Sequence, residues 1–248
     1  MTSLSGVTRR SLLASTAALL IAPSASYGET VQGALPWQPD AAQPPVQVRP
    51  GPWTYFTPEE GGAVEALVDR LIPGDDLSPG GKDTGCAVFI DRQLSSAYGQ
   101  ARGLYMRPPF QEGSPEQGPQ SPQTPAQRYR LALAELDRHC KAAFAGKPFR
   151  DIPDDQKDKL ISGMEKGGVQ LGDVSARAFF ELLLQNTIEG FFADPVYGGN
   201  RDMAAWKMVG FPGARYDYRD WVERHNERYP LPPVGISGRP GWIAQTKG

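Results

Sequence analysis

Apolar residues recur every three or four positions along much of the chain between Thr57 and residue 190. This spacing is typical of amphipathic helices. The first predicted helix covers residues 57–72, with Thr57 as its N-cap, Pro58 in the first turn and Glu60 three residues after the cap. That arrangement is a capping box, which satisfies backbone N–H groups at a helix start. The apolar face of this helix is Val64, Leu67, Val68, Leu71 and Ile72.

Four further helices follow from the same periodicity, at residues 84–99, 125–146, 152–167 and 173–190. The last is the most apolar, and we expect it to contribute Phe179, Phe180, Leu182, Leu183 and Ile188 to the core and to end at Gly190. Short helices are predicted at 200–210 and 218–229. No segment alternates polar and apolar residues long enough to indicate a sheet. The predicted fold class is therefore all-α, with long Pro/Gly-rich connections.

The remaining segments define the predicted organisation. Residues 29–56 form a Pro-rich extended arm, residues 57–229 the helical domain and residues 230–248 an extended tail. Because the arm carries Trp37, Trp53, Tyr55 and Phe56, we expect it to lie on a surface, its own or a partner's. The long connection at 103–125 is rich in Pro, Gln, Gly and Ser, and loops of this length are usually functional or mobile.

The N-terminal residues 1–28 resemble an export signal. Arg9 and Arg10 precede the apolar run 12–22, which is about half the length of a membrane span. The adjacent arginines predict the twin-arginine route, which exports folded proteins; an ordinary Sec signal is the alternative. Cleavage is expected between residues 24 and 28, and the predicted location is the periplasm.

Export places the two cysteines, Cys86 and Cys140, in an oxidising compartment, which favours a disulfide. The bond is either within the chain or to another protein, and the sequence leaves both open. The spacing of the cysteines to each other and to the two histidines matches no zinc pattern.

Signatures of catalysis are missing from the sequence. It has no Ser/Cys–His–Asp signature, no glycine fingerprint after a strand and no Cys-x-x-Cys-His haem motif. The net charge of −2 does not suggest a nucleic-acid partner. The pair Asp75–Asp76 either binds a cation or forms a turn. Asp91 and Arg92 are neighbours on a predicted helix, so each is expected to need an external partner.

The segment 190–218, "GFFADPVYGGNRDMAAWKMVGFPGARYDY", combines aromatic residues with turn formers. A turn is expected at Asp194, and Asn200 is expected to cap the helix that follows. The stiff turns would present the aromatic side chains for docking to a partner protein. The alternative is that these side chains fill the core of this domain. The predicted partner-binding residues are Tyr197, Arg201, Asp202, Trp206 and Phe211.

This segment, together with "ALVDRLIPGDDLSPGGKDTGCAVFIDRQLSSAYG" upstream, closely resembles the gluconate 2-dehydrogenase subunit 3 family. The resemblance covers about residues 55–218. It implies a small, non-catalytic subunit of a membrane-associated dehydrogenase. The large subunit of such a complex carries FAD and oxidises a sugar, polyol or sugar acid, and a multihaem cytochrome c subunit passes electrons on.

The resemblance also implies that the small subunit assists maturation of the large subunit and its export through the twin-arginine pore. No cofactor is then expected on this chain, and membrane association arises only through the complex. The competing hypothesis is an independent periplasmic enzyme that uses carboxylates such as Asp75, Asp76 or Asp194.

Overall fold

The fold is known from a computed structural model, which describes residues 48–49, 51–111, 113–114, 117, 121–214 and 218–236. Within these ranges the protein is helical, which confirms the all-α prediction, and the only β-pairing is two isolated bridges. The export signal with Arg9 and Arg10, the arm before residue 48 and the tail from residue 237 lie outside the described residues. The described residues contain six α-helices, α1 Pro58–Leu71, α2 Cys86–Ser95, α3 Pro125–Ala143, α4 Asp154–Glu165, α5 Ala176–Phe192 and α6 Ala204–Val209.

The starts of α1 and α3 are fixed by capping boxes. At α1 the predicted box is confirmed: Glu60 N donates to Thr57 Oγ1 at 3.2 Å, and Thr57 N donates to Glu60 Oε2 at 2.9 Å. Thr124 and Gln127 form the same reciprocal pair at α3. Both helices carry proline in their first turn, where a missing N–H costs nothing.

Helix α5 lies at the centre of the core, where it packs against α1, α2, α3 and α4. The core includes Val64, Leu67 and Val68 of α1, Phe89 and Ile90 of α2, Tyr129, Leu133 and Leu136 of α3, Leu160 and Met164 of α4, and Phe179 and Leu183 of α5. The rings of Tyr129 and Phe179 meet edge-on at 5.5 Å. The apolar stripes predicted for the five long helices therefore face one another, as burial of one stripe per helix requires.

One polar cluster joins α3, α5 and the turn that follows α2. Tyr129 donates its hydroxyl to Asn186 Oδ1 at 3.1 Å, and Asn186 Nδ2 donates to the Tyr98 hydroxyl at 3.0 Å and to Glu189 Oε2 at 3.1 Å. Asn186 is 1% exposed. A buried amide with partners on both its oxygen and its nitrogen fixes the register of α5 against α3 and the turn after α2.

The end of α5 differs from the prediction. The helix runs past Gly190 to Phe192, and Gly190 lies inside it. A Cβ on Gly190 would come within 3.0 Å of the Phe89 ring, so the glycine allows α2 and α5 to approach closely rather than ending the helix. Ile188, predicted to be buried, is 46% exposed because it lies on the outward face of α5.

The segment 218–229 also differs from the prediction. Only a single 3-10 turn forms there, at Arg219–Trp221, and no α-helix follows. The apolar residues of this stretch are too few to give a stripe: Val222 is 62% exposed and Trp221 only half-buried. Without an apolar face to bury, helix propensity alone does not hold so short a segment in a helix.

The last residues of the arm belong to the helical domain. Phe56 is buried in the core, where its ring meets those of Trp53 and Tyr129 at 5.9 and 6.2 Å. The Trp53 indole covers Gly61 of α1, where a Cβ would come within 2.2 Å of it. The arm therefore ends on the domain's own surface. Among the described residues no helix is both long enough and apolar enough to cross a membrane.

Candidate functional site

The segment 194–211 begins with the predicted turn at Asp194. Its Oδ1 accepts a hydrogen bond from Val196 N at 3.0 Å, and its Oδ2 accepts one from Ile236 N at 2.6 Å. The first bond is the local turn contact expected of aspartate before proline. The second ties the turn to a residue 42 positions later in the chain. Asp194 therefore holds two segments together.

The loop after this turn is built from left-handed residues. Gly198, Asn200, Asp202 and Met203 have φ values of 96°, 44°, 58° and 55°. Three of them are not glycine, and such conformations persist only when surrounding contacts impose them. Here the contacts come from Asn200, which is fully buried.

Asn200 bridges the helices on either side of the loop. Its Nδ2 donates to the carbonyl of Ala193 at 2.9 Å, at the end of α5. Its Oδ1 accepts from Ala205 N at 2.9 Å, in the first turn of α6. Asn200 was expected to cap the next helix, but the N-cap residue of α6 is Met203. The Asn200 side chain nevertheless satisfies one N–H of the first turn of α6 and a carbonyl at the end of α5.

Arg201 fastens the loop to the start of α2. Its backbone N–H donates to the Thr84 carbonyl at 2.9 Å, and its Nη1 donates to the Asp83 carbonyl at 3.2 Å. A cavity of about 230 Å³ lies beside it, lined by Val48, Val88, Pro195, Gly198, Gly199, Arg201 and Asp202. Tyr197 is 42% exposed. Arg201 thus braces the loop internally, whereas Tyr197 and Asp202 remain open to solvent.

Trp206 points into its own domain. It is 6% exposed, and its indole N–H donates to the Phe192 carbonyl at 2.9 Å, so the polar tip expected to meet a partner is already satisfied. The Phe211 ring meets it edge-on at 5.1 Å and is 46% exposed. Burial makes Trp206 a support for the segment, and a contact between Trp206 and a partner stays a prediction. Phe211 keeps an outward face.

Asp91 is a site whose partners the sequence did not identify. Its side chain is fully buried, and Oδ1 accepts from the backbone N–H groups of Tyr55 at 2.9 Å and Phe56 at 3.0 Å. Its Oδ2 accepts from the N–H and the hydroxyl of Thr54 at 2.9 and 2.7 Å. The expected external partner is therefore the end of the arm. Contrary to expectation, Arg92 also contacts Asp91 directly.

These contacts determine the charge state of Asp91. Burial opposes ionisation, but the hydrogen bonds from Phe56, Thr54 and Tyr55 outweigh it and hold the pKa of Asp91 below its ordinary value. Arg92 completes the site by donating to Thr54 Oγ1 at 3.0 Å and to the Pro52 carbonyl at 3.2 Å. Asp91 and Arg92 together form a clamp on residues 52–56, which we call the arm clamp.

Two of the three carboxylates considered for catalysis, Asp75 and Asp194, occupy structural positions. Asp75 Oδ1 accepts from Leu77 N at 2.8 Å and Ser78 N at 3.0 Å, which makes it a turn residue. Asp76 is exposed. Across the described ranges, no group of three or more His, Cys, Asp or Glu side chains is arranged to hold a metal ion.

Both cysteines are free thiols with no exposed surface. Burial raises the pKa of Cys86 to about 11, against a smaller opposing effect of its hydrogen bond with Thr84. Burial also raises the pKa of Cys140 to about 11, and the charge of Asp137 adds to the rise. Thiolates are the reactive form of cysteine, so both positions are unreactive in the folded chain. Both cysteines are protected thiols in this structure, and the disulfide stays a prediction.

We expect both thiols to react with a disulfide reagent at least about 100-fold more slowly in the folded chain than in denaturant, because thiolate is scarce and access is blocked. The measurement is a thiol titration of the exported protein, native and unfolded. We expect two equivalents of thiol to react rapidly after unfolding. If no thiol reacts in the unfolded chain unless a reductant is added, the disulfide prediction is right instead. A control in which the thiols are first reduced fixes the full signal.

Comparison with known proteins identifies the family of this chain. A family model described as gluconate 2-dehydrogenase subunit 3 matches residues 58–213, well over half of the chain. The chain belongs to the gluconate 2-dehydrogenase subunit 3 family. No curated protein and no solved structure matches it.

Membership in the gluconate 2-dehydrogenase subunit 3 family makes this chain one subunit of an oxidoreductase complex with several subunits. The match begins with α1 and ends at Gly213, so it contains all six helices and the whole segment 194–211. Residues 52–56, which the arm clamp holds, lie just outside the matched range, whereas Asp91 and Arg92 lie within it.

Proposed function

We propose that this protein is the non-catalytic small subunit of a periplasmic, membrane-associated, FAD-dependent dehydrogenase of the gluconate, sugar or polyol type. Its family membership is the observation that carries the proposal. FAD belongs to the large subunit and haem c to a cytochrome subunit, so neither is bound by this chain. Asp75 and Asp194 are engaged by backbone N–H groups, and no observation favours a role for them in catalysis.

The proposed role of the chain is to assist maturation of the large subunit, to carry it through the twin-arginine pore and to stabilise the complex. Arg9 and Arg10 supply the export signal, and the rigid segment 194–211 supplies a contact surface through side chains such as Tyr197 and Phe211. A loop that is already fixed by Asn200 and Arg201 loses little conformational entropy on binding, which preserves affinity.

We expect the purified chain alone to contain no flavin and to show no dehydrogenase activity with sugars or sugar acids. The reason is that the sequence has no dinucleotide fingerprint. Absorbance of flavin and reduction of an artificial electron acceptor are the measurements. Stoichiometric FAD on the isolated chain would contradict the proposal.

We expect Arg9→Lys with Arg10→Lys to leave both this chain and its flavoprotein partner in the cytoplasm. Only a route that exports folded proteins carries a bound companion without a signal of its own. The measurement is immunoblotting of cytoplasmic and periplasmic fractions for both subunits. The matched control makes the same Arg→Lys changes at two exposed positions outside the signal, Arg102 and Arg107. Normal export of the large subunit beside the double-lysine signal would refute the escort role.

A further inference from the structure

An exposed apolar surface lies where α5 ends. Ile188 and Phe192 are four residues apart on that helix, so they share one face, and they are 46% and 41% exposed. Earlier on the same outward face, Glu181 and Gln185 are exposed and polar. The face therefore changes from polar to apolar along the helix, which solvation alone does not explain.

This apolar face continues beyond α5 through Trp206. The indole is hydrogen-bonded to the Phe192 carbonyl and packed edge-on against Phe211, which is 46% exposed. Across a cavity from Phe211 lies Leu231, which is 47% exposed. We call Ile188, Phe192, Phe211 and Leu231, with Trp206 beneath them, the Trp206 surface. Single exposed apolar residues are ordinary, but a connected set marks an interaction site.

The cavity in this surface has a distinctive charge. It measures about 420 Å³, and Lys207 and Arg228 are the charged residues of its wall, which includes no carboxylate. Neither cation forms an ion pair with a carboxylate of the described part of the chain. Prolines 212, 230, 232 and 233 stiffen the rim, because each fixes its own φ angle. The cavity thus combines aromatic walls, a rigid edge and two cations that no carboxylate of the described residues pairs with.

We propose that the Trp206 surface and its cavity bind a segment of another subunit of the dehydrogenase complex, one that presents an apolar side chain beside a carboxylate. The apolar side chain contacts Phe211 and Leu231, and the carboxylate pairs with Lys207 and Arg228. This assignment rests on the proposed function, since the family supplies the partner subunit. Apolar contact at the centre with charge pairs at the edge is the usual composition of a specific interface.

The test uses the full-length chain, expressed with the other genes of its complex in the native host. One variant reverses the cavity's charge, Lys207→Glu with Arg228→Glu. A second, Ile188→Asp, places a charge on the apolar face. Both act on exposed side chains, so the melting temperature of the lone chain should stay near that of the wild type. We expect each variant to weaken recovery of the flavoprotein by about 30-fold, the effect of losing one strong contact.

Leu77→Asp and Tyr105→Asp are the matched controls, because these side chains are 75% and 81% exposed but lie outside the Trp206 surface. They should recover the complex normally. If the wild type recovers no other subunit, the proposed function fails. If the wild type recovers the complex and the two test variants recover it equally well, only the surface assignment fails. Dimers of the lone chain that Ile188→Asp dissociates would identify a second copy as the occupant and overturn the proposal.

Discussion

Asp91→Ala should lower the free energy of unfolding by about 3–5 kcal/mol, the usual effect of breaking a buried, paired charge. The carboxylate of Asp91 accepts from the backbone N–H groups of Thr54, Tyr55 and Phe56 at 2.9–3.0 Å. Alanine leaves these donors, the Thr54 hydroxyl and the Arg92 guanidinium without their shared acceptor. Unpaired buried donors cost more than the lost hydrogen bonds contribute.

Urea unfolding followed by circular dichroism measures this loss, and Asp91→Asn refines it. Asparagine keeps one acceptor oxygen but turns an NH₂ group toward the arm's donors, so a smaller but clear loss is expected. Asp155→Ala is the matched control, since this carboxylate pairs with Lys159 at the protein surface, where ion pairs contribute little. An Asp91→Ala chain as stable as the control would show that the arm clamp does not stabilise the fold.

The same carboxylate predicts a dependence on acidity. The folded-state pKa of Asp91 lies below the ordinary value of about 3.9, so its stabilising contribution is complete above that ordinary value. The contribution falls as the pH drops toward the lower, folded-state pKa. The stability difference between the wild type and Asp91→Asn should therefore be largest near neutral pH and shrink below about pH 4. A difference that stays constant into acid would mean that folding does not lower the pKa of Asp91, and a difference that grows in acid would mean that its pKa is raised.

The long helices were predictable because their signals are local. Thr57, Pro58 and Glu60 mark the start of α1 within four residues, and the apolar stripe that follows requires a buried face. The end of α5 was not predictable in this way. Gly190 is a common helix terminator, but here the ring of Phe89, about a hundred residues earlier, occupies the space beside it. Only the packing of α2 on α5 distinguishes the two uses of glycine.

In the candidate site, too, the local contacts were predictable and the long-range contacts were not. The turn at Asp194 and the contact of Asn200 with the next helix follow from side chains that bond to backbone within a few residues, and the sequence predicted both. The arm clamp joins residues 35–37 positions apart, so the sequence showed only that Asp91 needed a partner. The sequence left the position of Trp206 open for a related reason. Its amphipathic ring suits an interface or a core, and only the fold brings the Phe192 carbonyl within reach of its indole N–H.

Trp206→Ala should lower the free energy of unfolding by about 3–5 kcal/mol, as truncation of large buried aromatics does. The indole is buried, packs against Phe211 and caps the Phe192 carbonyl, so its removal leaves a cavity between α5 and α6. Tyr197→Ala is the matched comparison, because that ring is 42% exposed and in the same segment. Its loss should change the melting temperature little, whereas it should weaken complex recovery if Tyr197 contacts the partner.

Trp206→Phe separates the two roles of the indole. The phenyl ring keeps most of the packing against Phe211 but loses the N–H donor to the Phe192 carbonyl. A loss of about 1 kcal/mol is therefore expected, the net value of one hydrogen bond. Thermal melting of the lone chain and recovery of the complex are measured for all three variants. Recovery of the complex by Trp206→Ala should fall in step with its stability, because the ring supports the Trp206 surface from beneath. A variant that melts normally yet loses the partner would place Trp206 in the interface itself and contradict its assignment to the core.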